Sequence, residues 1–548
     1  MPQTVAILGG GVAGLCAAHE LAERGFRVRV FERKPVMGGK ARSIPVPDSA
    51  APNRKPLPGE HGFRFFPGFY KHVTDTMQRI PSGANGSAFD ALTVATRILL
   101  ARAGQTEITW IARCPATPED FRVFLLELFT PLGVPLPEVN YFVTRLLTVA
   151  TSCPERRLAE FENIAWWDFI AARRMSKTYQ AYLGQGLTRS LVAMRAEESS
   201  ARTVGITQLQ LLYGLIGPDR VFDRLLTGPT SDVWIDPWTQ YLRKLGVEFY
   251  PGTRVAGIET HGARVTGVAT EGGPRITADF YVSALPVEVM APLVTDNLKR
   301  AAPSLANLDK LQTRWMNGIQ FYLSEDVPLV NGHAIFLDSP WALTSISQRQ
   351  FWTNADFSQF GNGNVRGIFS VDISDWEAPG VVYGKPAREC TAEQIKDEVW
   401  TQLKQHLNDG GSAPIDDANL VAWFLDPDIE FSNPGTAANA EPLLINTAGS
   451  LQYRPEAQAE LENLFLASDY VRTYTDIACM EAANEAARRA VNCVLVASGS
   501  TGAPAKLWPL EEPAFLKPIQ EIDRIRFGLG LPHHLAGLTG MDARAGLP

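Results

Sequence analysis

The chain opens on an unbroken apolar run, Val5-Ala6-Ile7-Leu8, that ends in Gly9-Gly10-Gly11-Val12-Ala13-Gly14. A short continuous apolar run stopped by glycines predicts a strand buried on both faces. Leu15, Ala18 and Leu21 then recur at helical spacing, Gly25 ends that helix, and Arg27 to Phe31 predicts a second strand. Strand, glycine turn, helix and strand in this order announce a parallel α/β sheet. A proline-rich connection, Ile44 to Gly59, leads to an aromatic segment from His61 to Tyr70. Residues 85–224 read as mostly helical, with amphipathic spacing in Thr144–Ala150 and Ile206–Ile216. Alternating patterns predict strands at Val247–Tyr250, Arg254–Glu259, Arg264–Ala269, Phe280–Ala284, Gly318–Leu323 and Ala334–Leu337. A last helix is predicted over Met480–Ala497, and a tail rich in Pro and Gly follows it.

Composition narrows the class. The 548 residues allow two or three domains, and 45% hydrophobic with 20% charged residues is ordinary for a globular protein. A net charge of -8 with no long basic block argues against a nucleic-acid partner. Six scattered cysteines without a CxxC pair argue against a disulfide framework, a zinc site and a metal centre, so a reducing cytoplasm is the default compartment. No apolar run reaches eighteen residues. The most apolar stretch, Phe124 to Thr151, is broken by Pro131, Pro135 and Pro137, and reads as two core helices. The alternative is a face that dips into one leaflet, giving peripheral contact with the inner side of the cytoplasmic membrane.

The opening GxGxxG carries chemistry because it follows a strand and starts a helix. Gly9 permits the tight turn, Gly11 lets the backbone approach a pyrophosphate, and Gly14 packs the helix on the strand. The amides of Val12 and Ala13 stand at the positive end of the helix dipole. The second strand delivers Glu32, eighteen positions after Gly14, to the adenosine ribose hydroxyls. A carboxylate there disfavours a 2′-phosphate.

Five residues after Glu32 comes Gly38-Gly39-Lys40-Ala41-Arg42-Ser43. This resembles the flavin-containing amine oxidase and phytoene desaturase superfamily, whose signature runs E-x5-GG-R-x-x-S, with Lys40 in place of the commoner arginine. Leu464 to Asp469 resembles the family's apolar strand ending in G-D, with Ser468 replacing the glycine. Met480-Glu481-Ala482-Ala483 resembles its M-E-G-A helix start, with Ala482 replacing a glycine. Gly246 to Val255 resembles the strand pair that clamps adenine. The resemblance implies FAD as cofactor, held by Gly9, Gly11, Val12, Ala13, Gly14, Glu32, Arg33, Gly38, Gly39, Lys40, Arg42, Gly62, Phe63, Arg64, Val255, Asp469, Met480, Glu481 and Ala482.

It also implies a Rossmann-type FAD-binding domain, in pieces 1–84, 225–290 and 460–500, interleaved with an α+β substrate domain of helices (85–224) and mixed sheet (291–459), with 501–548 as tail. The segment Gly59 to Tyr70 resembles the E-x-G-x-H-x-F-F-G-x-Y region of phytoene and ζ-carotene desaturases, and the related hydroxysqualene dehydroxylases. It would place His61 and Arg64 at the reacting face, His61 as proton acceptor and Arg64 as a flavin or substrate contact. The implied reaction is desaturation, dehydroxylation or isomerisation of an isoprenoid or other lipophilic molecule, by hydride transfer to flavin. The rival is an amine or amino-acid oxidase that makes imine and peroxide. Such oxidases usually wall the flavin with two aromatics, one just before the Met-Glu pair, where this chain has Ala478-Cys479. Tyr474 is the nearest aromatic. A tailoring oxidase and a flavin-binding protein without catalysis complete the field.

Overall fold

The computed structural model describes residues 2–110, 117–192, 194–216, 221–408, 414–433 and 436–536. Two sheets organise the chain. The first has five parallel strands in the order Glu248–Pro251, Arg27–Glu32, Thr4–Leu8, Phe280–Ser283, Leu464–Leu466. Its central strand Thr4–Leu8 is apolar from Val5 onwards because both faces are covered. Helix Val12–Ala22 packs on it and against the long helix Met480–Ser498. Small side chains at that contact (Ala17, Ala18, Ala486, Ala487 and Ala490, all buried) let the two backbones approach closely.

The second sheet has seven strands, in the order Leu420–Leu425, Asn317–Leu323, Gly367–Ile373, Leu343–Ser347, Gly332–Phe336, Arg97–Arg102, Gln105–Trp110. Only the pairing of Gly332–Phe336 with Arg97–Arg102 is parallel. One face is apolar, with Ile319, Phe321, Phe369 and Val371 packed under helix Ala392–Leu407. The other face carries Gln320, Ser370 and Asp372 and turns towards the glycine-rich unit. Helices Pro118–Phe129, Leu136–Thr151 and Ala201–Ile216 build a separate core.

Residues 85–224 contain, beside their helices, the strands Leu92–Ala95, Arg97–Arg102, Gln105–Trp110 and Asp223–Leu226. Ile98 to Ala101 is a fully buried run whose parallel partner lies more than 230 residues downstream. Periodicity does not separate such a strand from a buried helix. The stretch Phe124–Thr151 forms two helices that turn at Gly133 and bury Phe124, Leu128, Phe142 and Leu146. No helix among the described residues is long and apolar enough to cross a membrane. Of the tail, helix Lys517–Gly528 is tied back by buried Asp523, which accepts from the Cys153 amide at 2.9 Å and pairs with Arg156 at 3.0 Å. Residues 537–548 of the tail lie outside the described residues.

Candidate functional site

Two glycine turns face each other at the carboxyl ends of the parallel strands. Gly9 leaves its strand at φ 104° and donates to the Phe31 carbonyl at 2.8 Å. Gly38 and Gly39, both at positive φ, bring the second turn against the first, with the Gly38 amide on the Gly10 carbonyl at 2.8 Å. A Cβ on Gly39 would stand 2.9 Å from the Gly11 Cα, so Gly39 does not tolerate a side chain easily. The helix that begins at Val12 has no side-chain cap and no acid in its first turn. Its free amides therefore offer a site for an anion.

A cleft runs from these turns. It is lined at one end by Phe31, Glu32, Arg33 and Val255, and in the middle by Gly9, Gly11, Val12, Ala13, Gly38, Gly39, Lys40 and Asp469. At the other end it is lined by His61, Gly62, Phe63, Arg64, Phe65, Tyr70, Leu211, Asp372, Ala478, Cys479 and Met480. Glu32 is buried, accepting from the Gly10 amide at 2.7 Å and the Lys34 amide at 2.8 Å. A carboxylate so held is an acceptor for hydroxyl groups entering this end. An acceptor, a nest of free amides and an apolar lining thus share one cleft.

Sixteen of the twenty residues expected from the sequence line this cleft or its rim turns; Gly14, Arg42, Glu481 and Ala482 do not. Gly14 lies behind the turn, against the Gly9 carbonyl. Arg42 is buried between Asp428, at 2.7 Å, and Glu441, at 3.1 Å. Although burial raises the Glu441 pKa, Arg42, His61 and Lys34 together hold it well below the usual carboxylate range. The sequence shows the cation but not the acids almost 400 residues away that claim it. Glu481 faces away from the cleft and accepts from the amides of Lys71, His72 and Val73, at 2.8 to 2.9 Å, and from His72 Nδ1 at 2.7 Å. It caps helix His72–Arg79, so the Glu of the Met-Glu pair anchors structure. Ala482 is in the core. Lys40 lines the cleft with its ammonium on Glu288 at 2.9 Å and on the Pro442 carbonyl.

At the far end, His61 Nδ1 lies 2.6 Å from Asp426. Asp428 completes a group of three potential ligand atoms with them, but Lys34 and Arg42 already meet its charge. Arg64 is half-buried and donates to the Lys40 and Phe63 carbonyls. Tyr474 is 45% exposed, stacks under Arg489 at 4.6 Å and does not line the cleft.

Sequence reasoning missed Asp372. It sits in strand Gly367–Ile373, buried at every position, and lines the cleft. The signal was an acid inside an apolar run, which is rarely buried without purpose. Burial, offset in part by Arg64 and His61, pushes its pKa up to about 7. Folded protein thus holds a proton that unfolded chain releases, and stability falls as pH rises from the ordinary value of 3.8 to about 7, then levels. Asp372→Asn is expected to flatten that fall and to be more stable than the parent above neutrality, by on the order of 3 kcal/mol. Melting temperatures across this pH range check it; parallel curves for the two proteins would refute it.

Comparison with known proteins fits this geometry. The model for flavin-containing amine oxidoreductases matches residues 12–495. A ζ-carotene desaturase from Synechocystis is 22% identical, over 90% of this chain and 97% of that protein. A 15-cis-phytoene desaturase from Glycine max is 22% identical, over 86% of this chain and 76% of that protein. Among solved structures, the cyclohexylamine oxidase of Brevibacterium oxydans shares the fold with a TM-score of 0.59 at 13% identity, covering 91% of this chain and 99% of that one. The chain belongs to the flavin-containing amine oxidoreductase family and is an oxidoreductase with a flavin cofactor.

Proposed function

We propose that the cofactor is FAD and that the reaction is a hydride-transfer oxidation or rearrangement of a carbon skeleton in a lipophilic, isoprenoid-like substrate. Glu32 would hold the adenosine ribose, and Val255 would clamp the adenine. The two glycine turns with the amides of Val12 and Ala13 would hold the pyrophosphate. Gly62, Phe63, Arg64 and Met480 would border the flavin ring. Bound flavin supplies a two-electron acceptor.

The observation that carries the substrate class is the apolar end of the cleft. Phe65, Pro67, Phe69, Leu211, Met316 and Ile477 line it, while Ala478 and Cys479 stand where an amine oxidase has an aromatic wall. Tyr474, the nearest replacement, is turned to solvent. Such a surface excludes water and takes up a long hydrocarbon chain. The carotenoid desaturases named above act in the same direction of argument, and an oily substrate suits peripheral contact with the cytoplasmic membrane.

The test begins with the absorbance spectrum of purified protein and chromatography of the chromophore released on denaturation, where FAD is expected. Anaerobic mixing with 15-cis-phytoene or ζ-carotene in phosphatidylcholine vesicles should then bleach the flavin. Bleaching by putrescine or cyclohexylamine, with peroxide on admission of air and no response to carotenoids, would replace this reading with amine oxidation.

A further inference from the structure

We propose that Asp372 is the proton-accepting residue of the cleft, taking the proton lost by the carbon next to the one that gives up hydride. This deepens the carbon-skeleton reading above and rests on it.

The placement of Asp372 is unusual in a specific way. On its strand it pairs with Gly318 on one side and Thr344 on the other, so one flank of the carboxylate carries no side chain. A Cβ on Gly318 would stand 2.8 Å from the Gly62 Cα, and a Cβ on Gly62 would stand 2.6 Å from Asp372 Oδ1. Two glycines from two segments thus let the segment that borders the cleft pack directly against the strand and its carboxylate. Oδ1 is buried and has no hydrogen-bond partner among the described residues. A buried carboxylate oxygen left open costs free energy unless something else meets it. His61, the acceptor expected from sequence, has its Nδ1 2.6 Å from the buried Asp426 carboxylate, and Asp372 adds to the cleft wall a carboxylate with one oxygen unpartnered among the described residues.

The charged and titratable groups around it are Arg64 and His61 from the segment bordering the cleft, and His333 from strand Gly332–Phe336. His333 is itself paired with Asp223 and packed against Phe63 and Phe65. Burial raises the Asp372 pKa to about 7, in the range where a carboxylate works as a base and still releases its proton between turnovers.

The step balances without a further reagent. In a CH–CH unit one carbon loses hydride, with its electron pair, to the bound two-electron acceptor. The neighbouring C–H bond breaks, its electron pair becomes the new C=C bond, and its proton forms an O–H bond on the Asp372 carboxylate. That proton then leaves to solvent.

The experiment compares flavin-loaded parent with Asp372→Asn, using 15-cis-phytoene in phosphatidylcholine vesicles and a quinone as electron acceptor. We expect the variant to keep its flavin and lose about 100- to 1000-fold in kcat. The parent's rate should rise with pH through an apparent pKa near 7, and the variant should lose that limb. Infrared titration of resting protein gives a readout without turnover: a protonated carboxyl band that disappears as pH passes about 7 in the parent and is missing from the variant. A variant with the parent's rate and pH profile overturns the role of Asp372 and leaves the carbon-skeleton reading standing. A parent that oxidises amines and no carotenoid overturns both. A parent with no carboxyl titrating near neutrality overturns the role of Asp372, whether or not the variant folds.

Discussion

Gly14→Ala is expected to lower flavin affinity at least about 100-fold, although Gly14 does not touch the cleft; that loss equals about 2.7 kcal/mol. The added Cβ would lie 1.9 Å from the Gly9 carbonyl oxygen, far inside contact distance, and 3.4 Å from Ile7. Overpacking usually costs about 1–3 kcal/mol when side chains can give way. Here the obstacle is backbone, and Gly9 has nowhere to retreat. Its amide is bound to Phe31, and its own Cβ position already lies 2.8 Å from the Ala284 carbonyl. Relief must come from tilting helix Val12–Ala22 off the sheet, which moves its free amides away from the anion they would bind. Gly25→Ala is the control. Gly25 also sits at positive φ, 82°, but nothing lies within 4 Å of its Cβ position. It should lose about 1–2 kcal/mol of stability to backbone strain and keep its flavin. Titration of flavin-stripped protein with FAD, followed by fluorescence quenching, separates the two. Equal affinities for the Gly14 and Gly25 variants would refute the argument.

Arg454→Met should cost about 3–5 kcal/mol of stability and release the flavin as well. Its guanidinium is buried and donates to the carbonyls of Asp469, Tyr470, Val471 and Asp476 and to the Asp476 carboxylate, the last at 2.6 Å. One side chain therefore gathers the whole turn from strand Leu464–Leu466 to helix Met480–Ser498. That turn carries Ser468, Asp469, Ile477, Ala478 and Cys479 along the cleft wall. Methionine fills much of the volume but leaves the carbonyls of Asp469, Tyr470 and Val471 short of a donor, while Asn446 still donates to the Asp476 carbonyl at 2.7 Å and Arg202 stays on the Asp476 carboxylate. Unmet buried acceptors cost about 1–3 kcal/mol each before relaxation. Thermal unfolding and flavin content after gel filtration provide the measurements. A variant that melts with the parent and stays yellow would show that the turn is held by other contacts.

Both residues illustrate how far the sequence could be read. The cradle around Gly9 to Gly14 and Glu32 was legible because strand, turn, helix and acid are contiguous, and each glycine's task follows from local geometry. The strand–helix patterns at both ends were legible for the same reason. Arg454 left no pattern at all, since all but one of its acceptors are backbone carbonyls. Arg42 and Glu481 were legible as family signature positions, yet their partners redirect them. Arg42 is neutralised by Asp428 and Glu441, and Glu481 caps a helix some 400 residues earlier in the chain. The strand Arg97–Arg102 was hidden because its apolar run is compatible with either a helix or a strand until its neighbours are known.

The sequence by itself determined the glycine-rich strand–helix unit, the acid at the end of its second strand, the family and hence a flavin, because those depend on short-range backbone geometry and on motifs within single segments. Only the tertiary structure decided which charged residues face the cleft and which are paired elsewhere. It also revealed Asp372 in the cleft wall and bound the last described segment to the helical core through Asp523. The physical reason is common to these cases: burial and charge pairing are properties of segments hundreds of residues apart, and neither is fixed until the two sheets face each other.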